Sequence, residues 1–412
     1  MVNAADVEAA ARQLAGVARL TPLEINPRLS ERCGLTVWLK REDLQVVRSY
    51  KLRGAYNLIV GLPVAERRRG VVCASAGNHA QGVAYSCHAL GVRGRIFLPR
   101  STPRQKLERI AILGGSAVET ILTGASYDEA MVAAADEAGR SGAVIVPPFD
   151  DVRTVAGQGT VVAEAVAQLG APPDYVVVPV GGGGLAAGSV AWLRERSPTT
   201  VVVGVEPTGA ASMTGAIRAG HPIVLADLDT FVDGAAVKRV GDVTFPLVRD
   251  GVGRMVCIDE GAVCTEMLDL YQSDGIIAEP AGALATAALP DLDLRPGSTV
   301  VAVVSGGNND VSRYGDVVER SLVHRGLKHY FLVEFPQEPG ALRRFLDEVL
   351  GPSDDITLFE YVKKSSRETG PALVGIELAR REDLASLLER MAESPLQMEL
   401  VPAGSPMFTF LF

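Results

Sequence analysis

Short, nearly continuous apolar runs alternate with helical patterns up to about residue 320. The apolar runs are residues 71–75, 94–99, 175–180, 201–206 and 299–307, and helical patterns occupy 105–113, 126–139 and 157–169. A strand that is apolar on both faces is typical of a parallel sheet that helices cover on each side. The alternation therefore predicts an α/β fold with parallel sheets.

The pattern changes after a predicted helix with the sequence SRYGDVVERSL. From Lys328 onward the apolar positions predict strand, helix, strand, strand, helix and strand, in the segments YFLVEF, ALRRFLDEVL, ITLFEYVKK, ALVGIELA, EDLASLLERMAE and either MELVP or MFTFLF. This β-α-β-β-α-β order is that of the α+β ferredoxin-like unit. We expect a first domain at 1–320 with a smaller lobe at roughly 50–150, a linker at 321–327 and a second domain at 328–412.

Composition narrows the class of protein. The 412 residues are 47% hydrophobic and 22% charged, which predicts a large core, and the net charge of −9 argues against a nucleic-acid partner. The five cysteines form no CxxC pair, so neither a disulfide framework nor a zinc site is indicated. The N-terminus carries Asp6 and Glu8 and has no sustained apolar core, so it does not have the pattern of a signal peptide. No apolar run is long enough for a membrane span. We expect a cytoplasmic protein without a membrane segment.

A glycine-rich turn, PVGGGGLAAGS at 179–189, follows one predicted strand and opens a helix near Leu185. Glycines let the backbone approach a ligand, and a helix N-terminus attracts phosphate. The turn lacks the Lys of a P-loop. A dinucleotide-binding turn fits better, through Gly181, Gly183 and Ala186 with Glu206 further on. A tight turn without a ligand is the remaining alternative, and the segment by itself predicts a phosphate site without naming the molecule.

Three further segments carry candidate chemistry. Lys51, in RSYKLRGAYN, stands where a helix is expected to begin. Asn78 and His79 follow a predicted strand in ASAGNHAQGVA, where we interpret His79 as a structural hydrogen-bonding residue rather than a base. Ser305, in VSGGNND, follows another strand. Ligands of open α/β sheets bind outside the carboxyl ends of the strands, so the three glycine-rich strand exits, at 74–84, 179–189 and 304–310, are expected to converge on one crevice.

As an ordered set, SYKLRGAYN, SAGNHAQGVA, VGGGGLAAG, GVEP, EPAGA (279–283) and SGGN resemble the tryptophan-synthase-β-like family of pyridoxal-phosphate (PLP) enzymes, fold type II. Within it the chain closely resembles the threonine ammonia-lyases, or threonine dehydratases. The C-terminal PQEPGAL and ITLFEY segments resemble the single ACT-like regulatory domain of the biosynthetic type. The resemblance implies a lyase that converts L-threonine to 2-oxobutanoate and ammonia, with some activity on L-serine.

The resemblance also implies residue roles. Lys51 would hold PLP covalently and later remove the substrate's α-proton, and Tyr50, where the family usually has Phe, would pack against the cofactor ring. Asn78 would bind the ring hydroxyl and Ser305 would face the ring nitrogen, where a neutral side chain suits elimination. The phosphate would lie on Gly181, Gly182, Gly183, Gly184 and Leu185. The substrate carboxylate would lie on Ser75, Ala76, Gly77, Asn78 and His79.

Two departures from related patterns refine this picture. Serine racemases carry a second Ser in the loop where this chain has Ala76, so we expect elimination and little racemisation. Metal-binding relatives pair the GVEP Glu with an Asp six residues later, but Glu206 is followed at that spacing by Ser212. We therefore expect Glu206 to be structural and no metal site.

The expected partners are the threonine substrate, isoleucine as allosteric effector through the ACT-like domain, and further copies of the chain in a dimer or tetramer. Two other classes of function stay open on the residues alone. A nicotinamide-dependent oxidoreductase would use the glycine turn with Glu206 and give Lys51 no role. A non-catalytic amino-acid sensor would bind isoleucine and release no ammonia.

Overall fold

The computed structural model describes residues 2–363, 368–402, 405, 407 and 408. The chain divides into two compact units, Met1–Asp310 and Val311–Phe412. In the described residues, the strands of the first unit are β1 (Leu23–Ile25), β2 (Thr36–Arg41), β3 (Val71–Ala74), β4 (Gly94–Leu98), β5 (Val118–Leu122), β6 (Val144–Ile145), β7 (Tyr175–Pro179), β8 (Val201–Pro207), β9 (Arg254–Ile258) and β10 (Thr299–Val304).

The α-helices of the first unit connect these strands. They are α1 (Ala4–Leu14), α2 (Pro27–Cys33), α3 (Lys51–Val60), α4 (Val64–Arg69), α5 (Asn78–Leu90), α6 (Arg104–Gly114), α7 (Tyr127–Ser141), α8 (Val152–Leu169), α9 (Gly184–Arg196), α10 (Ser212–Ala219), α11 (Thr244–Gly251), α12 (Glu260–Gln272) and α13 (Pro280–Ala288). The predicted helices at 105–113, 126–139 and 157–169 are α6, α7 and α8, the last of which begins five residues earlier, at Val152.

Two sheets form the core of the first unit. The larger has the order β1-β2-β10-β7-β8-β9, in which only the β1–β2 pair is antiparallel, and the smaller has the order β5-β4-β3-β6 with every pair parallel. Strands β3, β7 and β10 are almost wholly buried, as their continuous apolar sequences predict. The predicted α/β fold is confirmed.

Helix α3 is held on both sides by close helix packing. A Cβ on Gly82 of α5 would lie 3.1 Å from the Lys51 carbonyl oxygen, and a Cβ on Gly157 of α8 would lie 2.6 Å from that of Arg53. The Arg53 guanidinium is fully buried and bonds the carboxylates of Glu42 at 2.8 Å and Glu164 at 2.7 Å. These contacts fix the helix whose first residue is Lys51.

The second unit is a ferredoxin-like sheet with helices. Its described elements are α14 (Tyr314–His324), β11 (Lys328–Pro336), α15 (Ala341–Glu348), β12 (Asp355–Tyr361), β13 (Thr369–Glu377), α16 (Asp383–Glu393) and β14 (Gln397–Leu400). The sheet order is β12-β13-β11-β14, with every pair antiparallel. Buried residues of β11 and β13 pack with Phe345 of α15 and Leu387 of α16.

The predicted order of elements in this unit is confirmed, and the MELVP segment supplies its last strand. Residues 409–412 of the MFTFLF segment and 365–367 of the predicted SSRETGP turn lie outside the described residues, and the last three residues of SSRETGP belong to β13. The unit begins at Val311, ahead of the predicted boundary, because α14 packs on β11 through Glu319, whose carboxylate binds Lys328 at 2.5 Å and the Tyr330 hydroxyl. The predicted linker at 321–327 thus starts inside α14. In the described part of the chain, no helix combines the length and apolarity that crossing a membrane requires.

Candidate active site

Lys51 is brought to the carboxyl end of β10 by backbone hydrogen bonds of the residues that directly precede it. The Tyr50 amide donates to the Ser305 carbonyl at 3.2 Å, and the Gly307 amide donates to the Arg48 carbonyl at 2.9 Å. Ser49 also forms an isolated antiparallel bridge with Gly306. The fold thus brings the Lys51 segment against the VSGGNND segment.

The Lys51 amine lies in a largely desolvated position. Its Nζ donates to the Pro148 carbonyl at 3.1 Å and lies 5.4 Å from the centre of the Tyr50 ring. Burial lowers the pKa of Lys51 to about 8, while the Glu279 carboxylate acts in the opposite direction. A substantial neutral fraction is thus present near neutral pH, and the neutral amine is the form that reacts with an aldehyde.

The glycine turn forms an anion-binding cradle at the start of α9. Gly183 has φ of +91° and caps the helix without any side-chain hydrogen bond, so the first amides of α9 have no partner within the helix. The Gly182 carbonyl accepts from the Thr244 hydroxyl at 2.6 Å, which turns the opposed Gly183 N–H away from Thr244. Uncapped amides at a helix N-terminus suit a phosphate, so these residues fit a phosphorylated cofactor.

Phe149 explains part of the glycine density and was not singled out from the sequence. A Cβ on Gly182 would lie 2.3 Å from the Phe149 ring, and one on Gly184 would lie 3.0 Å from the Phe149 Cβ. Phe149 follows Pro148, the acceptor for Lys51. One short loop therefore contacts both the amine and the cradle, but only the fold reveals it, because Phe149 is far from both in sequence.

The loop at Ser75 to His79 leads into α5 as predicted, and its cap is again a glycine. Gly77 caps α5 without a side-chain hydrogen bond, so the first α5 amides lack partners within the helix. Ser75, Ala76 and Gly77 are half-buried. Such amides, with the positive end of the helix dipole behind them, suit a substrate carboxylate.

His79 is held away from catalytic use. Its side chain is buried, and Nε2 lies 2.8 Å from the Val146 carbonyl oxygen. Burial first, and the Lys51 charge second, lower the pKa of His79 to about 3. The imidazole is therefore neutral, with Nε2–H donating to Val146, which supports the structural interpretation of this side chain.

Asn78 and Ser305 are both hydrogen-bonded within the protein. The Asn78 Nδ2 donates to the Glu279 carboxylate at 2.5 Å, and its Oδ1 accepts from Asn308 at 2.7 Å. The buried Ser305 hydroxyl donates to the Ala281 carbonyl at 3.1 Å.

Glu279 is a site residue to which the sequence assigned no role. It is 5% exposed, and burial followed by the Asp233 charge raises its pKa to about 7, while hydrogen bonds from Asn78 and the Asn308 backbone act in the opposite direction. A buried carboxyl with a strongly shifted pKa in a cleft is a signal of function. In sequence, the only hint is its position in EPAGA, directly before the proline that opens α13.

Glu206 is structural in this fold. It is fully buried, and its carboxylate accepts from the amides of Met213 and Thr214 at 2.6 and 2.8 Å, in the first turn of α10. It is therefore not presented to a ribose hydroxyl, which removes the support for the dinucleotide interpretation of the glycine turn. The described residues contain no group of three or more His, Cys, Asp or Glu side chains placed to hold a metal ion.

Comparison with known proteins agrees with this geometry. Residues 14–306 match the family model described as pyridoxal-phosphate dependent enzyme, and residues 319–411 match the C-terminal regulatory domain of threonine dehydratase. The biosynthetic L-threonine dehydratase of Mycobacterium tuberculosis is 59% identical over 100% of this chain and 96% of its own length.

Solved structures give the same result for the first unit. The processed threonine deaminase isoform 2 of Solanum lycopersicum has a TM-score of 0.74 and 38% identity, covering 78% of this chain and 87% of that one. Maize serine racemase has a TM-score of 0.72 and 29% identity, and the match covers 78% of this chain and 98% of the racemase chain.

Proposed function

Because the chain belongs to the biosynthetic threonine dehydratase family of pyridoxal-phosphate-dependent enzymes, we propose that it converts L-threonine to 2-oxobutanoate and ammonia. The observation that carries this proposal is the combination of the Lys51 amine with two uncapped helix N-termini. The N-terminus of α9 suits a phosphate, and that of α5 suits a carboxylate. When bound, PLP supplies a ring that withdraws electrons from the substrate Cα.

The residues of the chain then have distinct tasks. Lys51 holds the cofactor through Nζ and, once the substrate has taken its place, removes the proton from the threonine Cα. The amides from Gly181 to Leu185 bind the phosphate. Asn78 donates to the ring hydroxyl, Ser305 faces the ring nitrogen and Tyr50 packs against the ring.

Substrate orientation comes from the loop at Ser75 to His79. Its backbone amides hold the threonine carboxylate, so that the Cα–H bond is presented to Lys51. His79 contributes its amide only, because its neutral ring is bonded to Val146. L-serine carries the same β-hydroxyl and lacks only a methyl group, and we therefore expect a lower activity on serine.

The test combines colour and product formation. Purified protein is expected to absorb visible light, to lose that band with borohydride, and to release ammonia and 2-oxobutanoate from threonine. A Lys51→Ala variant should lose both properties, while Lys238→Ala, which removes an exposed lysine paired with Asp128, should keep them. Full turnover by Lys51→Ala would refute the proposal.

The second unit is proposed to bind isoleucine and lower the activity. The supporting observation is the match of residues 319–411 to the regulatory domain of threonine dehydratase. Allosteric coupling is reciprocal, so isoleucine should weaken threonine binding and threonine should weaken isoleucine binding by the same factor. Isoleucine titrations by calorimetry, with and without threonine, test this, and equal affinities would exclude coupling through binding.

Two further features of the proposal concern assembly and location. A ferredoxin-like regulatory unit offers sheet edges and faces for pairing, and we propose a dimer or tetramer, which light scattering can measure. All five cysteines are free, as expected for a chain that works in the reducing cytoplasm.

A further inference from the structure

The carboxamide of Asn78 lies in a chain of hydrogen bonds whose direction is fixed at its outer end. Asn308 Nδ2 donates to the Val47 carbonyl at 2.8 Å and to Asn78 Oδ1 at 2.7 Å. A backbone carbonyl can only accept, so the Asn308 side chain must present its NH₂ group there. The second hydrogen of that group then meets Asn78, and the atom of Asn78 that faces it must be the oxygen.

The other end of the chain gives the same assignment. Asn78 Nδ2 faces Glu279 Oε1 at 2.5 Å, and above its pKa of about 7 the Glu279 carboxylate can only accept. If the Asn78 amide were rotated by half a turn, its oxygen would face the Glu279 carboxylate and its NH₂ group would face the Asn308 NH₂ group. Both contacts would then be unfavourable, although the two orientations of an amide have nearly the same shape.

Two glycines, Gly234 and Gly306, leave the space that the Glu279 carboxylate occupies. A Cβ on Gly306 would lie 2.2 Å from Glu279 Oε1 and 3.3 Å from Asn78 Nδ2, and one on Gly234 would lie 3.6 Å from the same oxygen. The Glu279 amide also donates to the Gly306 carbonyl at 3.1 Å. The carboxylate is thus held against Asn78 by the backbone of the loop that follows β10.

We propose that Asn308 and Glu279 are positioning residues that fix the Asn78 amide with its remaining N–H available to the cofactor's ring oxygen. This inference rests on the proposed role of Asn78 and adds two residues to the site. Val47, at the outer end of the chain, lies four residues before Lys51. The same hydrogen bonds therefore link the orientation of Asn78 to the segment that carries the reactive lysine.

The experiment compares Asn308→Asp with Asn309→Asp in the full chain. Each variant removes one NH₂ group from the same loop, but Asn309 donates to the Ala278 carbonyl at 3.3 Å rather than to Asn78. In Asn308→Asp, the new carboxylate should draw the Asn78 NH₂ group toward itself and away from the ring oxygen. The readouts are the dissociation constant of PLP and the pH at which the visible band is half-developed.

The expected result is about tenfold weaker PLP binding in Asn308→Asp, the usual effect of losing a hydrogen bond in a buried site, and a midpoint of the visible band moved to higher pH. Asn309→Asp should match the wild type in both readouts. Glu279→Gln retains an accepting oxygen and should stay near the wild type, whereas Glu279→Leu should resemble Asn308→Asp. If Asn308→Asp does not fold, the comparison of Glu279→Gln with Glu279→Leu tests the positioning role instead.

An Asn78→Ala variant separates the two levels of the inference. If Asn78→Ala changes the spectrum and the affinity but Asn308→Asp and Glu279→Leu do not, the positioning role is refuted while the role of Asn78 stands. If Asn78→Ala itself changes neither readout, the proposed role of Asn78 is wrong and the positioning role fails with it.

Discussion

If Lys51 holds the cofactor as proposed, we expect the charge of its amine to control how fast the protein takes up PLP. Burial lowers the pKa of Lys51 to about 8, compared with about 10.4 for an exposed lysine. Only the neutral amine attacks the cofactor aldehyde, so below its pKa the rate of attachment should rise about tenfold for each pH unit. Above about pH 8 the rate should level off, because nearly all of the amine is then neutral.

Stopped-flow absorbance of cofactor-free protein mixed with PLP measures this dependence. The reaction of PLP with the side-chain amine of an acetylated lysine is the control, since it includes the titration of the cofactor itself. After division by the control, whose own amine titrates near 10.4, the ratio should be constant below about pH 8 and fall above it, whereas a ratio that stays constant to about pH 10 would mean that Lys51 titrates as an ordinary exposed lysine.

We expect Ala76 to determine the outcome on the side of the substrate away from Lys51. Its methyl group has no proton to give, and the neutral His79 ring is bonded elsewhere. An Ala76→Ser variant places a hydroxyl in the half-exposed loop, and we expect it to form measurable D-serine from L-serine while elimination slows. Chiral chromatography of the products tests this, with Ala76→Gly as the control without a hydroxyl. D-Serine formed equally by both variants would exclude the hydroxyl as its source.

At the scale of elements, helix α3 depends on a buried ion network. Arg53 and Glu42 are both fully buried, and Glu164 completes the group. An Arg53→Met variant would leave the buried Glu42 carboxylate with the Thr21 hydroxyl but no cation bonded to it, and Glu164 with Lys40 alone, and breaking a buried pair in this way costs about 3–5 kcal/mol of stability. The free energy of unfolding from urea titration should fall by that amount. Arg104→Met, which removes an exposed pair with Glu108, should change it by about 0–1 kcal/mol. Equal losses would contradict a special role for the network.

The same network shows why some elements could be predicted from the sequence and others could not. Strands β3, β4, β7, β8 and β10 are continuous apolar runs, and periodicity alone identifies them. Strand β2, TVWLKR, contains Lys40, which is fully buried because Glu164 and Gln168 bond its amine at 3.1 and 2.8 Å. These two side chains are more than a hundred residues away, and the third partner of the amine is the Thr21 backbone carbonyl, so no side chain near Lys40 in the sequence marks this strand as part of the core.

The candidate site likewise contains residues that could be predicted from the sequence and residues that could not. Asn78, the glycine turn and Ser305 stand at predicted strand exits, whereas only the family resemblance, and not the sheet pattern, added Lys51 to them. Glu279 acquires its raised pKa from burial first and from the Asp233 charge second, both of which depend on the fold. A carboxyl group whose environment comes from separate loops gives no periodic or motif signal that identifies its role.

At the scale of the whole molecule, the division after Asp310 predicts which truncations keep the site intact. Every residue of the proposed site precedes that point, whereas α14 packs within the second unit through the bonds of Glu319 to Lys328 and Tyr330. A chain that ends at residue 320 would keep part of α14 without β11, the strand on which it packs. A chain that ends at residue 310 would contain no part of α14.

We therefore expect the 1–310 fragment to bind PLP with the affinity of the full chain and to deaminate threonine without a response to isoleucine. The 1–320 fragment should bind PLP equally but aggregate more readily, because its extra residues expose the apolar side of α14, where Val317 is buried in the intact unit. Reconstitution with PLP, an isoleucine titration and light scattering on both fragments measure these properties. Isoleucine inhibition of the 1–310 fragment would show that the effector acts on the first unit and would refute the assignment of regulation to the second.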